Sequence, residues 1–239
     1  MFTAEYNREK GRPWFRASEC AVFAGRGRKD FLTDGAKTLI KDYWLRDFKG
    51  FNPRVTNRYM KKGIQMEETA ITLVSKVYNK MYSKNVERKF GFHLTGECDI
   101  LEPTEIVDIK NAWNPKTFIM SKLDKDYEWQ GRAYMHLYDR DIFHVYWTLV
   151  DCPQDVYDDE YRRFCWQNDI IDDHLPKYQE KLEEFRRTLI YDPTLYTEEE
   201  RIKTFTIERD EDLEEKLLDG IEAAVDYYWS LKLNHIDLN

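Results

Sequence analysis

The chain is poor in the features that would place it outside the ordinary globular class. None of its four cysteines, Cys20, Cys98, Cys152 and Cys165, belongs to a Cys-x-x-Cys pair. Spacing this wide indicates neither a metal nor an iron–sulfur site, and structural thiols in a reducing compartment are the expectation. No apolar run approaches the roughly 18 uninterrupted residues of a membrane span, and the opening MFTAEYNREKGRPW has no apolar signal core. A soluble, unexported, cytoplasmic protein without a membrane partner is therefore expected. With only ten Gly and seven Pro in 239 residues, no flexible linker, internal repeat or low-complexity tract divides the sequence, which favours one domain over residues 1–239.

What is present is a large stock of core formers. Hydrophobic residues make up 42% and aromatics 15%, including seven Trp and sixteen Tyr, which excludes a disordered chain. The net charge of −8 argues at first against a polyanionic partner, but the charge is unevenly spread. Residues 1–150 carry 26 Lys and Arg against 20 Asp and Glu, and the remainder carries 11 against 25. Binding depends on the local patch, so the front of the chain could face DNA while the acidic tail makes that binding salt-sensitive.

Periodicity gives an ordered set of elements. A basic opening leads into a short helix with Ser18 as N-cap, ending at residues 25–27. Helical spacing follows over residues 35–47 and 57–81, then strands over 86–92, 96–101 and 105–111. The last two form a hairpin about Glu102-Pro103-Thr104. A helix over 125–138 precedes the β-prone run IFHVYWTLV at 142–150, read as a buried central strand. The rest is read as helix over 155–187, a short strand over 203–208 and helix over 212–231. The sum is an α/β fold with a mixed central sheet, helices on both faces, a core over about 57–150, and helical extensions at 1–56 and 151–239.

Chemistry concentrates in GECDILEPTEIVDIKNAW. Strand alternation puts Asp108 and Lys110 on one side, and Asp99 lies on the adjoining strand where it can converge with them. Unpaired carboxylates are costly to bury unless a cation neutralises them, and a hard divalent ion such as Mg²⁺ suits carboxylate and phosphate oxygens. The bland alternative is a solvated hairpin. Its surroundings favour the functional reading: GIQMEETA upstream offers Glu67, and EWQGRAYM downstream puts Gln130 and Tyr134 four apart on one helix face.

Four segments, FRASECAVFAG, KKGIQMEETA, GECDI with IVDIKNA, and WQGRAYM, resemble in this order the PD-(D/E)XK nucleases, and more narrowly the phage-type alkaline exonucleases grouped with lambda exonuclease and the YqaJ family, including the Gln-x-x-x-Tyr element of RecB-like members. The match runs from Arg16 to Tyr134, about half of the chain. It implies a restriction-endonuclease-like core in which Glu67, Asp99, Asp108 and the Ile109 carbonyl hold Mg²⁺ (Mn²⁺ substituting). Lys110 then orients or deprotonates the attacking water and Gln130 supports it. The resemblance also implies a 5′-3′ deoxyribonuclease acting on linear duplex ends in a bacterium or phage-infected cell. A single-strand annealing protein and further copies of the chain are its expected partners.

In the resembled exonucleases a serine and an arginine capture the 5′-phosphate. This marks Ser18, with Arg12, Arg16, Arg28 and neighbouring Arg26, although the Arg-to-Ser spacing is not cleanly reproduced; Tyr134 could touch DNA or pack beneath Gln130. His93 and His136 are lone, and Trp113 and Trp129 fit the core better than base stacking. The run Arg54, Arg58, Lys61 and Lys62 serves equally as a DNA face or a solvated surface. Two alternatives stay open. A RecB-like or CRISPR-type nuclease with an iron–sulfur cluster needs three cysteines after the core, whereas only Cys152 and Cys165 follow it, so no cluster is expected. A nuclease-derived module that binds without cutting would not need Glu67, Asp99, Asp108 and Lys110 intact.

Overall fold

A computed structural model describes residues 11–27, 31–52 and 57–236, with side chains as far as Leu231. The first elements among the described residues are β1 (Phe15–Arg16), a 3₁₀ turn at Ala17–Glu19 and the single-turn α1 (Ala21–Ala24). Next come α2 (Asp34–Lys49) and α3 (Arg58–Val77), whose N-caps Thr33 and Asn57 accept from the amides of Ala36 and Met60. Ser18 does not cap a helix: it lies inside the 3₁₀ turn, and Cys20 stands at the N-cap of α1.

Strands β2 (Lys89–Gly91), β3 (Leu94–Gly96), β4 (Ile100–Leu101) and β5 (Glu105–Asn111) follow. The segment expected as one strand over 96–101 is two, because residues 97–99 turn from one sheet into another. The carbonyls of Glu97, Cys98 and Asp99 there accept from the Tyr134 hydroxyl, the Asn85 side-chain amide and the Asn85 backbone amide. In the small sheet β3 lies between parallel β1 and antiparallel β2; the main sheet runs β4-β5-β6-β7, with β5 and β6 (Ile142–Thr148) parallel and both outer pairs antiparallel. The parallel pair is joined through α4 (Pro115–Ile119) and α5 (Lys125–Tyr138).

Each face of the main sheet is covered. Ile106, Phe143 and Val145 point toward α5, α1, α2 and the C-terminal α8 (Glu211–Ile236), in a core that also takes Phe23, Ile40, Tyr43, Leu217, Ile221 and Tyr228. Val107, Ile109 and Tyr146 point the other way, onto Ala70, Ile71 and Val74 of α3. Burying each such side chain is worth about 1.5–3 kcal/mol relative to exposure. Helix α5 approaches β6 so closely that a Cβ on Gly131 would stand 2.3 Å from Cδ1 of Phe143.

Two expectations for the C-terminal third need correction. The helix expected over 155–187 is broken into α6 (Gln154–Gln167) and α7 (Pro176–Arg187): Asp169, in the left-handed region at φ 54°, follows the end of α6, and Pro176 opens the first turn of the new helix. The short strand expected over 203–208 does form, as β7 (Ile202–Glu208), but it belongs to the core rather than to a helical extension: it pairs along the full length of β6 and completes the main sheet. Among the described residues, no helix is long and apolar enough to cross a membrane.

Candidate active site

Antiparallel pairing of β4 with β5 matches Ile100 to Val107, so Asp99, one step before β4, comes opposite Asp108. Asp99 accepts a 2.6 Å hydrogen bond from the Ile109 amide through Oδ2. Asp108 is only 2% exposed. Its Oδ1 accepts from Nε2 of Gln130 at 3.3 Å, while Oδ2 is ion-paired with the Lys110 ammonium. Gln130 is itself buried, and its Nε2 also reaches the Tyr134 hydroxyl at 3.3 Å. That hydroxyl donates to the Glu97 carbonyl at 3.0 Å. A continuous polar chain therefore runs from Lys110 through Asp108, Gln130 and Tyr134 to Glu97.

Sheet and helix spacing create this chain. Asp108 and Lys110 share a face of β5 because strand side chains alternate. Gln130 and Tyr134 share a face of α5 because residues four apart lie one above the other. Gly131 lets that face descend onto the sheet. At Gly96 a Cβ would stand 2.5 Å from Cε1 of Tyr134, so a residue without a side chain lets the tyrosine ring close on β3.

Beside this cluster opens a cleft of about 420 Å³, lined among others by Glu67, Asp99, Ile109, Lys110, Tyr127 and Trp147. Glu67 reaches it from α3 and forms a 3.0 Å ion pair with Lys84. Burial raises the Asp99 carboxyl well above its ordinary range, with the Asp108 charge adding to it. Beside these carboxylates the Lys110 ammonium is held in its charged form. Burial opposes its charge, but Asp108 and Asp99 outweigh burial and hold the ammonium above its usual value.

Among the described residues no group of three or more His, Cys, Asp or Glu side chains stands in metal-holding geometry. The donor chemistry nevertheless fits a hard divalent cation. Asp108 and Asp99 are carboxylates that stand opposite one another, Asp108 buried and Asp99 with its pKa pushed up by burial and by the Asp108 charge, and both belong to a cluster edged by an open cleft.

A second, smaller cavity of about 200 Å³ lies where the two sheets meet, lined by Arg16, Ser18, Arg88, Thr95, Glu97 and Tyr134 among others. Parallel pairing sets Arg16 beside Thr95. Arg88 escaped the sequence reading because nothing in VERKF distinguishes it. Its place is set by β2–β3 pairing, in which Lys89 matches Gly96 and the next step outward brings Arg88 to Glu97.

Several other residues go elsewhere. Arg12 is 5% exposed, donates to the Asp47 carbonyl at 3.1 Å and lies over the Phe48 ring, within the core and away from this cavity. Arg26 stacks on Phe31 and donates to carbonyls of Phe23 and Lys216. Arg28 and Arg54 lie outside the described residues. In the basic run before Glu67, Arg58 pairs with Glu160 and Lys61 with Asp155, both at 2.6 Å, and Lys62 is buried. His93 meets the Pro13 carbonyl and His136 meets Glu214. Trp113 packs edge-on against Tyr59, and the Trp129 carbonyl accepts from Cys20.

No protein-family model and no curated protein sequence matches the chain. Solved structures do. A phage-related exonuclease from Haemophilus somnus 129PT is similar with a TM-score of 0.73 and 26% identity, over 93% of this chain and 96% of that one. An alkaline exonuclease from Laribacter hongkongensis is similar in fold, with a TM-score of 0.62 and 14% identity over 99% of this chain and 100% of that one. The same enzyme in complex with dAMP gives a TM-score of 0.60 at 14% identity, over 95% of each chain.

Proposed function

From the premise that this chain is built like the phage-type alkaline exonucleases of the PD-(D/E)XK superfamily, we propose that it is a metal-dependent nuclease that hydrolyses DNA phosphodiester bonds inward from the 5′ ends of linear duplex. The observation that carries the reading is the buried Asp108, contacted by Lys110 and Gln130 and opposed by Asp99, at the edge of an open cleft.

Glu67, Asp99, Asp108 and the Ile109 carbonyl are the donors for Mg²⁺ or Mn²⁺, which when bound polarises the scissile phosphate and lowers the pKa of water. Lys110, on the same strand face as Asp108, supplies positive charge where the phosphate and the attacking water must lie. Gln130 fixes the Asp108 carboxylate by its hydrogen bond and leaves its carbonyl oxygen for a water or Lys110. Tyr134 holds Gln130 in place and walls the smaller cavity. In that cavity Ser18 and Arg16 take the terminal 5′-phosphate, since a guanidinium beside a hydroxyl suits a phosphomonoester. The likeness to a phage-related exonuclease supports a role in phage recombination, with an annealing protein and other copies of the chain as partners.

The test compares end-labelled linear duplex, with and without a 5′-phosphate, and covalently closed duplex under Mg²⁺, using the wild type and Asp108→Ala. Loss of label from the phosphorylated linear duplex by the wild type alone is expected. Equal attack on closed DNA would leave a nuclease but remove the end specificity. Full DNA affinity without cleavage in either Mg²⁺ or Mn²⁺ would make the protein a binding module.

A further inference from the structure

The smaller cavity holds a carboxylate that a phosphate pocket should avoid. Glu97 lines it and pairs with Arg88 at 3.1 Å, each side chain about one-third exposed. Strand register sets this pair, since the two residues stand one step beyond Lys89 and Gly96 on neighbouring strands. An ion pair this accessible to water is weak and readily exchanged. A phosphomonoester dianion brings nearly twice the charge of a carboxylate and can meet the guanidinium through two oxygens, whereas Glu97 meets Arg88 through Oε2 and Nη2 with a single charge. A hydroxyl end offers no charge and cannot compete.

Resting on the end-pocket reading above, we propose that Arg88 and Glu97 form an anion-exchange pair. Glu97 holds the guanidinium until a terminal phosphomonoester displaces it, so the pair sets how strongly phosphorylated ends are preferred over hydroxyl ends. The Glu97 carbonyl stays fixed by the Tyr134 hydroxyl while its carboxylate turns away. The exchange therefore takes place at the far end of the hydrogen-bond chain from Tyr134 through Gln130 to Asp108.

The test measures binding of the full chain, in EDTA so that nothing is cut, to 3′-labelled duplexes ending in 5′-phosphate or 5′-hydroxyl. The ratio of the two affinities is the readout. Arg88→Gln should lower the ratio about tenfold, the worth of a hydrogen bond to a charged group, and Arg88→Lys should lower it less. Glu97→Gln should raise it about threefold or more, because the competing charge is gone while the shape remains. Ratios within about twofold of wild type for both Glu97→Gln and Arg88→Gln, or a fall with Glu97→Gln, would overturn the exchange pair alone. A wild-type ratio of about one would instead remove the end-pocket reading and the pair with it. Melting curves identify a variant that fails to fold; if Arg88→Gln does so, Glu97→Gln and Arg88→Lys decide the matter.

Discussion

Lys62 is a cation withdrawn from water. It is 1% exposed, and its ammonium donates to the carbonyls of Ala112 and Trp113 at 2.9 and 3.1 Å, where the chain leaves β5. Burial pushes its pKa from an ordinary 10.5 down to about 8. Below pH 8 the lysine is charged in both folded and unfolded chains, and the folded state bears the whole cost of desolvation. Between pH 8 and about 10.5 the folded chain gives up the proton first, so the unfolded chain binds more protons and stability rises with pH. That increment is about 3 kcal/mol at most. Denaturation midpoints of wild type and Lys62→Met at pH 7.5 and 10 should diverge in the wild type's favour as pH rises; parallel curves would mean an unshifted lysine. Asp108 makes a contrasting case, since it is the buried carboxylate that the proposed nuclease reading places at the metal, held by Lys110 and Gln130. Asp108→Asn should reduce cleavage by about a thousandfold or more, as loss of a preorganised charge in a catalytic centre does, while DNA affinity in EDTA changes little.

At the scale of elements, the packing of α5 on β6 and β3 decides whether Gln130 and Tyr134 reach their partners. Gly131→Ala drives a methyl group into the Phe143 ring. The expected cost is about 2 kcal/mol of stability, typical of overpacking a close contact, with a larger proportional loss of cleavage because Gln130 retreats from Asp108. Adding Phe143→Leu should recover part of the stability in urea titrations, and no recovery would locate the strain elsewhere. The same elements show what periodicity can and cannot predict. Strand β5 and helix α5 have clear patterns, and Glu105–Asn111 and Lys125–Tyr138 match the expected bounds. The break at residues 97–99 left no trace in the pattern, because it comes from β3 and β4 joining different sheets.

For the whole molecule, strained carboxylates in the folded state make stability depend on ligand. Mg²⁺ binding only the folded form stabilises it by about 2.7 kcal/mol at a hundredfold excess over Kd, which for a chain of this length raises the melting temperature by about 5 °C or more. Differential scanning fluorimetry should show that rise in the wild type, its reversal by EDTA, and its absence in Asp108→Asn. An equal rise in the variant would mean a metal site elsewhere. The charge asymmetry of the sequence also resolves at this scale. Acidic residues of the C-terminal third neutralise basic residues before Glu67, as in Arg58–Glu160 and Lys61–Asp155, so the net excess of the first 150 residues overstates the positive surface open to DNA.

The sequence by itself determined which residues can share a face. Alternation along β5 joined Asp108 to Lys110, and four-residue spacing on α5 joined Gln130 to Tyr134, because both periods are fixed by backbone geometry over a few residues. Only the tertiary structure decided which faces meet. It carried Arg12 into the core, buried Lys62, brought Arg88 opposite Glu97 and added β7 to the sheet, because each outcome depends on pairing and packing between segments far apart in the chain.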